Sequence, residues 1–134
     1  VLEKNPKTVK IVFKNFPIRS HKFSVQAALA ALAADRQTKF WDFHDELFKN
    51  YKRLNEDKVQ EIAAKLKLNL AQFEKDRKDP LLLEQIRYDY NEAIRIGLQS
   101  VPTVFVNGRK LKDRSLKGFQ ALIDKEVETR KQKK

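Results

Sequence analysis

Three groups of residues in this chain are of types that could do chemistry. They are His21; His44 with its neighbours Asp42 and Asp45; and the run Ser100-Val101-Pro102-Thr103-Val104-Phe105-Val106-Asn107-Gly108-Arg109. An imidazole among carboxylates suggests metal binding. Asp42 and Asp45, however, stand two and one residues from His44 and project from different sides of a helix, and the chain has only two histidines. His44 therefore reads as a hydrogen-bonded member of an aromatic helix, and no metal site or cofactor is expected. His21 reads either as a surface or capping histidine or as support for a nearby site. Phe40, Trp41 and Phe48 read as core rather than as a cage for a ligand. The chain contains no cysteine. That removes disulfides, thiolate metal ligands and a cysteine nucleophile from these 134 residues.

Pro102 poses the sharper question, because it stands directly before the most strand-like segment of the chain. Proline fixes φ and offers no N–H to a ladder, so it belongs at the entrance of a strand or on an edge. Either it punctuates, or its geometry is used. Taken alone, an X–Pro bond is expected to be trans.

The elements that must position these residues follow from periodicity. Val9, Ile11 and Phe13 alternate on one face, with Val12 on the other, and predict a short, largely buried strand closed by Phe16-Pro17. Ser20 to Gln37 is rich in alanine and predicts a helix able to approach a sheet closely. Thr38, Asn55 and Asn69 are candidate caps for three further helices, and Asp79-Pro80 starts a fourth that runs to Gly97. Thr103 to Asn107, apolar on both faces, predicts an interior strand. Asn107-Gly108 turns it into a hairpin whose return strand, Arg109 to Lys112, suits an edge. Ser115 caps a last helix. The long helical crossover favours parallel pairing of the first two strands, and the expectation is an α/β domain with a small mixed sheet.

Lys and Arg number 29 against 18 Asp and Glu, a formal net charge of +11. The excess is spread over the helices and reads as a basic surface, not a specific nucleic-acid site. No apolar window is long enough to span a membrane. The chain starts at Val1, contains no methionine, and opens with Val1-Leu2-Glu3-Lys4 before Asn5-Pro6, which reads as the last turn of a helix. It is expected to be a fragment.

At this point the residues resemble a known family. Val9-Lys10-Ile11-Val12-Phe13-Lys14-Asn15-Phe16-Pro17, then His21, the alanine-rich helix, Phe40-Trp41-Asp42-Phe43-His44-Asp45-Glu46-Leu47-Phe48, and Gly97 through Arg109 are similar, in that order, to the DsbA-like thiol–disulfide oxidoreductases. The resemblance implies a thioredoxin-like fold with a helical insertion over about 38–97 in a single truncated domain, 1–134. It would lack the first strand and most of the first helix. The Cys-x-x-Cys pair of the family would lie upstream, so the chain as given would be redox-inactive. By resemblance, Pro102 would be cis, Val101 would offer its backbone to an extended substrate, and Thr103 would sit behind them.

Also implied are cysteine-containing protein substrates, an unidentified redox partner and a periplasmic or otherwise extracytoplasmic location. The alternative is a noncatalytic thioredoxin-fold module that binds peptides or proteins. Loss of the central first strand would leave two apolar strands with open inner edges, and direct pairing, dimerisation or strand exchange is expected to close them.

Overall fold

In the computed structural model, which describes residues 1–133, the alanine run forms helix α1 (Ser24–Asp35), around which the helical part of the molecule is packed. Ala30, Ala33 and Ala34 are fully buried, and their small side chains let α1 pack against four other helices. These are α2 (Phe40–Lys49), α3 (Glu56–Lys65), α4 (Leu70–Arg77) and α5 (Pro80–Arg95), with a single 3₁₀ turn, Tyr51–Arg53, between α2 and α3. The boundaries follow local chemistry. The Asn55, Asn69 and Asp79 side chains accept from the backbone N–H of Lys58, Gln72 and Leu81, and Pro80 occupies the first turn of α5. Thr38 does not cap α2 as expected. It takes a left-handed φ of 61° and donates its hydroxyl to the Gln37 carbonyl instead, leaving Lys39 as the N-terminal flank.

These helices lie in one compact unit, Lys14–Gly97. Its core centres on Phe43 and Phe73, fully buried with ring centroids 5.6 Å apart, joined by Val59, Ile62 and Ile86. Burying each large side chain contributes roughly 1.5–3 kcal/mol. Trp41 and Phe48, expected in the core, are 47% and 65% exposed. The helical period turns Phe43 and Leu47 inward and leaves their neighbours outside.

Charge is largely matched inside this unit. Arg36 forks onto Asp76 and Asp79 at 2.8 Å each. Glu46 takes Lys49 and Lys65, which hold its carboxyl below the usual range through their hydrogen bonds. Buried Arg77 joins Glu56 to Glu74. Asp89, 2% exposed, accepts from both the backbone N–H and the side-chain amide of Asn15, at 2.9 and 3.0 Å. Lys14 pairs with Glu92 at 3.0 Å beside it, and Phe16 stacks on Tyr90. Residues 14–16 are thereby fastened to α5.

The second unit comprises Val1–Phe13 and Leu98–Lys134. It contains a two-stranded antiparallel hairpin, β1 (Phe105–Val106) and β2 (Arg109–Lys110), and the helix α6 (Leu116–Gln132), capped by Ser115 onto the Gly118 N–H. Asn107 and Gly108 take φ of 49° and 80°, the two positive values a tight hairpin turn requires. Asn5 is buried against α6, where its amide and that of Gln120 exchange hydrogen bonds at 2.9 and 3.0 Å.

The sheet is smaller than the expected mixed sheet. Among the described residues it has two strands, and residues 9–13 form neither a strand nor a pair with β1. The interior strand expected over Thr103 to Asn107 is reduced to Phe105–Val106, with one further rung from the Leu111 N–H to the Val104 carbonyl. A strand exists through its partners, and apolar alternation alone supplies none. Val12 and Phe13 are accordingly 66% and 41% exposed, and Phe105 is 43% exposed, not covered on both faces.

Candidate functional site

The hairpin unit holds the loop Ser100-Val101-Pro102-Thr103 in a defined shape. The Val101–Pro102 peptide bond is cis. Thr103 Oγ1 donates to the Ser100 carbonyl at 2.5 Å, closing the loop on itself. The Arg114 guanidinium donates to the Pro102 carbonyl at 3.0 Å, tying the loop to the turn before α6. Val101 is 41% exposed and Pro102 is also exposed, while Thr103 is half-buried behind them. Val101, Pro102 and Thr103 are thus contiguous, with the first two presented outward.

Arg114 was not signalled by sequence spacing, since its role depends on a bend. The structure shows how that bend is built. Asp113 accepts from the Ser115 N–H at 2.9 Å, and this bond holds its carboxyl below the usual range. Gly118 comes so close to Asp113 that a Cβ there would collide with the Asp113 carbonyl and side chain. Only glycine admits this approach without displacement. Farther along α6, Glu126 forms an ion pair with Arg109 at 2.7 Å and accepts from Asn107, joining the hairpin to the helix. Leu111 and Ile123 are buried in the same unit.

The pairing register also determines what the loop leads into. Val106 faces Arg109, Phe105 faces Lys110, and Val104 accepts from Leu111. In an antiparallel ladder hydrogen-bonded and non-hydrogen-bonded pairs alternate, so the N–H and C=O of Phe105 point away from β2. The loop therefore leads into a strand whose outer edge has no strand partner among the described residues.

The remaining candidates lie in the helical unit. His21 is exposed in the turn before α1, where its backbone carbonyl accepts from Ser24 and its N–H donates to Ile18. It borders a shallow cavity of about 260 Å³ with Pro17, Arg19, Lys22 and Tyr90. His44 Nδ1 lies 3.0 Å from Asp45 Oδ1, and its ring packs against Phe48 and Trp41. Among the described residues no three His, Cys, Asp or Glu side chains gather in a way that could hold a metal.

A thioredoxin family model matches residues 2–125, almost the whole chain. The chain belongs to the thioredoxin family. Within it, a DsbA-like affiliation is supported by a relative from Bacillus anthracis, named a probable disulfide bond formation protein D, at 31% identity over 127 residues. A Bacillus cereus protein of the same name is 33% identical over 128 residues. Each match covers 89% of this chain and 58% of the relative, so the chain spans little more than half the length of these proteins. A Na(+)/H(+) antiporter NhaA from Herminiimonas arsenicoxydans is 31% identical over 104 residues, which cover 78% of this chain and 16% of that protein. The fold is accordingly thioredoxin-like of DsbA type.

Proposed function

We propose that this chain is the substrate-holding part of a thiol–disulfide oxidoreductase acting on cysteine-containing polypeptides, with Val101, Pro102 and Thr103 forming the contact. The observation that carries the reading is the outward-facing Val101–Pro102 loop, braced by Arg114. An extended polypeptide laid across Val101 would receive main-chain hydrogen bonds from it, as in strand addition. Disulfide exchange needs a thiolate to attack a substrate disulfide, and these residues contain none. Their share is to hold the substrate in line, and the chain by itself is redox-inactive. The names of the Bacillus relatives support disulfide chemistry and, with it, an oxidising extracytoplasmic compartment. No helix among the described residues is long and apolar enough to cross a membrane. A separate redox partner would recycle the whole protein, and the exposed apolar segment from Val9 to Phe13 would favour dimerisation or strand exchange of the isolated chain.

The test is amide chemical-shift mapping with a short extended peptide carrying S-methylated cysteine. Shifts centred on residues 100–103 are expected, and shifts that avoid Val101 would overturn the proposal. The lack of cysteine favours a second reading, a noncatalytic module that binds peptides with the same loop. The coding sequence preceding Val1 separates the two: a Cys-x-x-Cys there supports the oxidoreductase, and its absence supports the module.

A further inference from the structure

The chain has seven asparagines, and one of them, Asn107, is followed by glycine. The amide carbon of an asparagine side chain is open to attack by the backbone nitrogen of the next residue. A side chain on that residue hinders the attack, and glycine has none. Gly108 is exposed, and the position a Cβ would take on it is empty out to 4 Å. Asn107 is exposed as well, and its amide donates to Glu126 Oε2 at 3.4 Å, the long limit of a hydrogen bond. Neither nucleophile nor electrophile is shielded.

The other asparagines are held by their surroundings. Asn5 precedes a proline, whose nitrogen has no proton to lose, and Asn15 is buried on Asp89. Asn55 and Asn69 use their side-chain oxygens to cap α3 and α4, and the Asn50 amide donates to the Glu46 carbonyl at 2.8 Å. Asn91 lies inside α5, before Glu92, where helical hydrogen bonds fix its backbone. The hairpin, by contrast, has two-residue strands and one further rung from Leu111 to Val104, and so short a ladder opens locally at small cost. Opening matters because Asn107, at a φ of 49°, must leave the tight-turn conformation before the Gly108 nitrogen can reach its amide carbon.

We infer that Asn107-Gly108 is a modification site, at which Asn107 deamidates without an enzyme. The Gly108 nitrogen gives its proton to solvent base and bonds to the Asn107 amide carbon. The bond from that carbon to Nδ2 breaks, and the nitrogen takes a proton from solvent and leaves as ammonia, closing a five-membered succinimide. Water then adds at either ring carbonyl, giving aspartate or isoaspartate. One water is consumed and one ammonia released, with no change of oxidation state. Both products alter the same contact. Aspartate sets a second carboxylate against Glu126 where a donor stood, and isoaspartate adds a methylene to the main chain of a two-residue turn. The tie from Asn107 to α6 is lost, while the ion pair of Arg109 with Glu126 at 2.7 Å remains. Every group involved lies within residues 104–126.

The experiment incubates the full 134-residue chain in mildly alkaline buffer and compares it with a sample digested without incubation. Tryptic peptides are mapped by mass spectrometry with electron-transfer fragmentation, which tells isoaspartate from aspartate. Conversion at Asn107 is expected to be at least about tenfold faster than at any other asparagine, and no slower than about a tenth of its rate in denaturing urea. Gly108→Ala, which adds a Cβ beside the attacking nitrogen, should slow it about tenfold. Asn107→Asp fixes one product in place and should move the amide resonances of α6 around Glu126 while those of α1 to α5 stay where they are. Faster conversion at another asparagine, an unchanged rate in Gly108→Ala, or a folded-state rate below that fraction of the rate in urea would each overturn the inference. Unchanged α6 resonances in Asn107→Asp would overturn the loss of the tie to α6.

Discussion

The helical unit and the hairpin unit solve the same problem, how a basic chain holds its shape, in opposite ways. Lys14–Gly97 buries two phenylalanines completely and neutralises most of its charge internally, with Arg36, Glu46, Arg77 and Asp89 each engaging more than one group. Among the described residues the hairpin unit buries few apolar side chains, keeps a large net charge and leaves Val101 and Phe105 exposed. A region that must remain in one conformation is built from burial and paired charge. The loop proposed to meet a substrate lies in the unit with less of either.

The largest test of that contrast is a matched pair of truncations. Phe43→Ala removes a fully buried ring packed on Phe73 and is expected to cost about 3–5 kcal/mol, read as a lowered urea midpoint. Phe105→Ala removes a ring that is 43% exposed and should cost less than about 1 kcal/mol. Equal costs would mean that the hairpin is part of the stabilising core.

Asp89→Ala comes next. It leaves the buried Asn15 N–H and amide without their acceptor and should cost about 2–3 kcal/mol, because an unmet buried donor retains its full desolvation penalty. Asp89→Asn keeps one acceptor oxygen and should recover part of the loss. Equal stability of both variants with the parent would show that residues 14–16 are not fastened through this carboxylate.

This buried contact also marks where sequence reading stops. Helix starts at Asn55, Asn69, Asp79 and Ser115 were legible because a cap acts on a backbone two or three residues away. The Asn107-Gly108 turn was legible for the same reason. Asp89 with Asn15 and Arg114 with Pro102 were not, since each joins residues distant in sequence through a fold that periodicity does not specify. The strand expected at Val9–Phe13 failed on similar grounds. Alternation names a surface that can be buried but not the neighbour that buries it. The loop Val101-Pro102-Thr103 was singled out through the ordered motifs of a family, which carry information that local propensity lacks.

A smaller effect, dependent on pH, tests the paired charges of the helical unit. Hydrogen bonding from Arg77 pulls the Glu56 carboxyl from 4.5 down to about 2. A carboxylate whose folded value lies below its unfolded value binds fewer protons in the folded state. Its stabilisation is therefore complete above about pH 4.5 and is lost as pH falls through about 2. Glu56→Gln should lower the urea midpoint modestly at pH 6, with the gap to the parent closing as pH approaches 2. Solvent exposure of the Glu56 side chain keeps the effect small. A gap independent of pH would assign the loss to packing rather than to the ion pair.

Arg114→Ala is expected to change stability least. Its hydrogen bond to the Pro102 carbonyl is exposed, and water can replace it at a cost of about 0.5–1.5 kcal/mol or less. Its effect on binding should be larger than its effect on stability, because an unbraced loop must be ordered each time a partner docks. Amide shifts of Val101 and Thr103 should move in the variant while those of α1 to α5 stay in place, and affinity for the peptide carrying S-methylated cysteine should fall severalfold. Arg114→Lys retains the charge but not the planar fork, so it should restore binding only in part if direction matters and fully if charge alone matters. Parent-like affinity in Arg114→Ala would show that the loop holds its shape without the guanidinium, leaving the Thr103 hydroxyl bond to Ser100 as the constraint within the site.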